Sequence, residues 1–76
     1  MMLKQFKDFL NNTCKFEEAS DTRIVAIDIQ NSLIISIVAN QRVLIAHKHQ
    51  ADMRFNGIVE NVQQLKLILT LIKKGL

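Results

Sequence analysis

Residues 22–60 read TRIVAIDIQNSLIISIVANQRVLIAHKHQADMRFNGIVE. Isoleucine, valine and leucine fall here into short runs around 24–29, 33–38, 43–46 and 53–59, divided by polar breaks rich in Asn, Gln, Ser and His. β-Branched side chains are stiff and pack well on a pleated surface, so each run predicts a β-strand. Their close spacing predicts an antiparallel meander.

Side chains alternate between faces, so the register decides what is buried. A three-residue loop at 30–32 pairs Ile29 with Leu33, Ile27 with Ile35 and Val25 with Ile37. A two-residue turn at Asn40 and Gln41 sets Leu44 and Ala46 beside Ile37 and Ile35. A four-residue loop, 49–52, places Met53, Phe55, Gly57 and Val59 opposite Lys48, Ala46, Leu44 and Arg42. The predicted core face is Val25, Ile27, Ile29, Leu33, Ile35, Ile37, Leu44, Ala46, Met53, Phe55 and Val59, with Gly57 making room for Leu44.

That register leaves a second face. Ile24, Val38, Val43 and Ile58 form an apolar row across it, followed by Ala26, Ser36, Ile45 and Asn56, then by Asp28, Ile34, His47 and Arg54. Polarity rises towards one end, the pattern of an interface with a wet rim. The competing expectation is that a helix crosses this face and buries it.

Outside the strands, Met2, Leu3, Phe6, Phe9 and Leu10 recur at helical spacing and predict a helix over about 2–12, ended by Asn11 and Asn12 in the left-handed conformation. Phe16 folds the chain back onto the core, and 17–22 reads as an acidic connection. Asn61 followed by Gln64 has the form of a helix cap with its reciprocal partner, opening a helix over about 62–74. Its apolar stripe is Val62, Leu65, Leu69, Ile72 and Leu76. Leu67, Ile68 and Leu71 widen it, leaving Lys66, Thr70, Lys73 and Lys74 as a polar strip. The expected architecture is a single α+β domain over 1–76, two-layer, with a four-stranded antiparallel β-meander flanked by N- and C-terminal helices (α-β-β-β-β-α) and both helices on the core face.

At 76 residues the chain sits near the size where one core gives only about 3 to 5 kcal/mol, and one cysteine, Cys14, excludes an internal disulfide. Association is the remaining common source of stability. Lys4, Lys7 and Asp8 interrupt the apolar residues of the N-terminal segment, so no secretory signal is expected. The longest apolar run, 67–72, is far below the roughly 20 residues that span a bilayer. A cytoplasmic protein is expected.

Net charge is +3, with ten Lys and Arg against seven Asp and Glu scattered along the chain. The densest basic group is Arg42, His47, Lys48, His49 and Arg54, diluted by Asp52; the candidate phosphate contacts are Arg42, Lys48 and Arg54, or Lys66, Lys73 and Lys74 on the last helix. A nucleic-acid footprint gathers its charge on one face. Sheet-based readers also present aromatic rings, whereas Phe6, Phe9 and Phe16 precede the strands and Phe55 is assigned to the core. His47 and His49 are two ligand types without a third in place, so no metal is expected. Cys14 paired with a histidine and Asp28 lacks an oxyanion site and a cleft, so neither catalysis nor a cofactor is expected.

The expected function is therefore a non-enzymatic protein-interaction module, a regulator or inhibitor of a larger intracellular protein, of the kind common among phage, plasmid and bacterial accessory proteins. It is expected to act as a homodimer. The expected contacts are Ile24, Val38, Val43, Ile45 and Ile58 on the sheet with Ile68 and Leu71 on the last helix, and Asp28, His47 and Arg54 as polar rim. The alternative is a small basic nucleic-acid-binding regulator.

Overall fold

A computed structural model describes residues 2–49 and 53–75. The elements run α1 (Met2–Leu10), β1 (Lys15–Ala19), β2 (Arg23–Asp28), β3 (Leu33–Val38), β4 (Arg42–His47), β5 (Met53–Ile58) and α2 (Val62–Lys73). The strands form one antiparallel sheet in the order β1-β2-β3-β4-β5. The α+β order holds, with five strands in place of four. The added strand is KFEEA, expected as a connection, which pairs with β2 through a bulge between Phe16 and Glu18. As an edge strand it half-buries only Phe16 and faces solvent with charge, so it carries little apolar alternation.

The register differs from the expected one at every hairpin. Asp28, not Ile29, pairs with Leu33, leaving a four-residue loop at 29–32 with Ser32 at φ 57°. The Asp28 carboxylate holds this loop, accepting from Asn31 N at 3.2 Å and Asn31 Nδ2 at 3.1 Å. Ile37 pairs with Val43, giving a three-residue loop at 39–41 in which Gln41 takes φ 66°. Gln41 N donates to Val38 O at 2.8 Å, closing a turn that ends in a left-handed residue, as three-residue hairpins commonly do. Gln41 is tied down by its side chain, whose Nε2 donates to the carbonyls of Val59 at 3.0 Å and Glu60 at 3.1 Å. In the last hairpin Ile45 pairs with Phe55 and Ala46 with Met53, with Arg54 as the bulge residue.

These shifts turn β2 and β4 over while β3, and β5 from Phe55 onward, keep their expected faces, the bulge at Arg54 turning Met53 over. The core is Leu3, Phe6 and Leu10 of α1, Ile24 and Ala26 of β2, Leu33, Ile35 and Ile37 of β3, Val43 and Ile45 of β4, Val59, and Leu65 and Leu69 of α2. Val25, Ile27, Leu44 and Ala46, expected in the core, lie on the opposite face, together with Met53, while Ile29 stands in a loop. Both helices cover one face, as expected. Gly57 sits opposite Val43 rather than Leu44, and the ring it accommodates is Phe55, which lies 3.1 Å from where a Cβ would stand.

α1 ends in hydrogen bonds from Thr13 N and Cys14 N to Leu10 O. Asn11 and Asn12 are not left-handed, since the positive-φ residues described are Ser32, Gln41 and Gly75. At α2, Asn61 accepts from Gln64 N at 2.9 Å, and Gln64 Oε1 accepts from Glu60 N, one residue before the cap. Leu76 and Asp52 lie outside the described residues.

Candidate functional site

The register assigns the open face row by row. Arg23, Val38, Arg42 and Ile58 lie at one end, Glu18, Val25, Ser36, Leu44 and Asn56 across the middle, and Lys15, Ile27, Ile34, Ala46 and Met53 at the other. Both helices pack on the opposite face, and no described element crosses this one. In the three central strands its residues other than Arg23 and Arg42 are half-buried by one another, whereas on β5 Ile58 is 51% exposed and Met53 54%. Charge is confined to the margins. Arg23 pairs with Glu18 at 3.9 Å, and Arg42 Nη1 donates to Asn56 Oδ1 at 2.9 Å. Between them lies a continuous aliphatic surface with Ser36 as its one central polar residue.

Of the residues expected at the interface, Val38 and Ile58 lie on this face. Ile24, Val43 and Ile45 do not, because they are fully buried beneath the helices. Ile68 packs against the core, while Leu71 is exposed beside Leu67 on the outer side of α2. The face residues missed were Val25, Ile27, Leu44 and Ala46. β2 and β4 are apolar on both faces, so periodicity alone does not tell the two apart.

The expected polar rim belongs to the helix side instead. Asp28 is 2% exposed and pairs with Lys73 Nζ at 3.4 Å. Lys73 is exposed like the rest of the expected polar strip, but it follows Leu65 and Leu69 at four-residue steps, so its amine reaches round to Asp28 from the end of the buried stripe of α2. A lysine in that position was the available signal that an acid lay opposite. His47 pairs with Leu33 on the core face. The bulge carries Arg54 to the same side, where it lines a cleft of about 130 Å³ with Leu33, His47, Ile72 and Lys73. Arg42, Lys48 and Arg54 therefore occupy the open face, the β4–β5 loop and the helix side respectively, and do not form one basic surface.

His49 N donates to His47 Nδ1 at 3.2 Å, and their rings lie 6.0 Å apart and tilted. Among the described residues no three of His, Cys, Asp and Glu gather as a metal site. Cys14 is half-buried; burial pushes its thiol above the ordinary range, the Thr13 hydroxyl opposing this and Asp28 adding to it. A second cleft of about 380 Å³ lies between α1 and the β1–β2 turn, lined by Leu3, Lys4, Lys7, Ala19, Asp21 and Ile24. No described helix is long and apolar enough to cross a membrane. Compared with protein-family models, curated proteins and solved structures, the chain matches none.

Proposed function

We propose that this chain is a non-enzymatic protein-interaction module whose working surface is the open sheet face. The observation that carries the reading is the aliphatic surface of Val25, Ile27, Ile34, Val38, Leu44 and Ile58 around a single central hydroxyl, Ser36, with charge only at its margins. An apolar centre with a polar border is the anatomy of protein–protein contacts, and large apolar patches on small proteins commonly mark them. The separation of Arg42, Lys48 and Arg54, and the placement of Phe16 and Phe55 on the helix side, argue against the nucleic-acid alternative. On this reading the effect is exerted on a larger protein, as its regulator or inhibitor.

The test is affinity capture from the source cells with wild type and Leu44→Asp, each with and without nuclease. A protein partner is expected that survives nuclease and is lost with Leu44→Asp, while the variant still melts cooperatively. Capture that disappears with nuclease and is indifferent to Leu44→Asp contradicts the proposal.

A further inference from the structure

Resting on that reading, we infer that the occupant of the open face is a second copy of this chain, packed sheet to sheet about a two-fold axis through Ser36. β3 is the middle strand of five, and Ser36 lies in the middle row of the face, so it occupies the geometric centre. Its neighbours on this face are Val25 and Leu44 across the strands and Ile34 and Val38 along its own. Among the described residues its hydroxyl makes no hydrogen bond.

A cover that is only apolar would strand this hydroxyl. A hydroxyl both donates and accepts, so a two-fold axis gives Ser36 its own complement. At the usual sheet spacing of about 10 Å, one water on the axis spans the two groups. An axis along β3 lays Lys15 and Glu18 over Met53 and Asn56 of the other copy, and Arg23 over Arg42 at the end of the face, where both arginines are exposed and their guanidiniums reach water.

The area is sufficient for a specific dimer. Five strands at about 4.8 Å spacing and about six residues at 3.3 Å give a flat footprint of roughly 480 Å² per copy. Two copies bury roughly 960 Å² before corrugation is counted, and corrugation carries the total past the roughly 1,000 Å² that a specific interface needs. Leu67 and Leu71, exposed on α2, lie outside this interface.

Sedimentation of wild type, Ser36→Asp, Ser36→Lys and an equimolar mixture of the two variants tests this. Wild type is expected to dimerise. Each variant alone is expected to weaken the dimer at least about 100-fold, because like charges meet on a desolvated axis. The mixture is expected to recover a 1:1 dimer. Cooperative melting checks folding, and the half-buried position lets either charge reach water in the single chain. Independently, Ser36→Cys in a Cys14→Ser chain is expected to crosslink into dimers with a short bismaleimide. A dimeric wild type overturns the inference, and moves the dimer elsewhere, if the charge mixture does not recover and the Ser36→Cys chain does not crosslink. A monomeric wild type whose partner capture is abolished by Leu44→Asp overturns it while leaving the interaction-module reading in place. Capture unaffected by Leu44→Asp removes that reading as well.

Discussion

Ile45 and Leu44 are neighbours on β4, and exchanging their faces is the difference between the two registers, so truncating each in turn reads the register directly. Ile45 is fully buried and paired with Ile35 and Phe55, whereas Leu44 stands half-buried on the open face. Ile45→Ala removes three buried carbons at about 0.8 kcal/mol each, or about 2.4 kcal/mol of transfer free energy. A residual cavity of about 50 Å³ adds about 1.2 kcal/mol. The expected loss of about 3.5 kcal/mol is a large part of the roughly 4 to 11 kcal/mol available to 76 residues, and lowers Tm by roughly 14 to 28 °C. Leu44→Ala leaves no closed cavity and removes a half-wet side chain, so about 1 kcal/mol is expected. Urea titrations at submicromolar protein isolate the folding term from association. Leu44→Ala costing as much as Ile45→Ala, or more, would refute the register and with it the open face.

Three further outcomes follow from the same structure. Asp28→Ala is expected to cost about 2 kcal/mol through the lost Lys73 pair and the two hydrogen bonds from Asn31, and the double variant with Lys73→Ala is expected to be less than additive by at least about 0.5 kcal/mol; strict additivity in denaturant titrations would show the pair to be uncoupled. At the two left-handed positions opposite effects are expected, Ser32→Gly being neutral to about 1 kcal/mol stabilising, and Gln41→Ala destabilising by about 1 to 3 kcal/mol because it keeps the strain and loses two hydrogen bonds; equal Tm shifts would contradict this. Because burial raises the Cys14 thiol, its contribution is fully present below the unfolded thiol's titration at about pH 8.5 and lost as pH climbs through the higher folded value; stability measured from pH 7 to 10 should fall over that window, with slow thiol alkylation at pH 7, and Cys14→Ser should remove that part of the slope.

Much of the frame was legible in the chain because independent signals agreed. The stripe of Leu3, Phe6 and Leu10 and the Asn61–Gln64 cap each had one reading, and Ser36 marked the second face of β3 despite Ile34 and Val38 beside it. β2 and β4 had no single reading. IVAID and VLIA offer apolar side chains to both faces, so hydrophobic pattern leaves the register open and the loops decide it. Those loops lack glycine and take their left-handed turns with Ser32 and Gln41, stabilised by contacts that only the folded chain supplies. Asp28 misled for the opposite reason: a carboxylate reads as surface unless its cation is recognised, and that cation lies far along the chain in the last turn of α2.

The open face is tested most directly by the relaxation of methyl NMR signals by a soluble paramagnetic agent, in dilute protein and again as association is driven by concentration or partner. Strong relaxation is expected in the dilute sample for Ile34, Val38, Leu44 and Ile58, with Ile24, Ile37, Val43 and Ile45 protected, and loss of relaxation in the first group alone on association. Protection of the first group in the dilute monomer, or association that leaves it as exposed as before, would contradict the assignment of this face as the working surface.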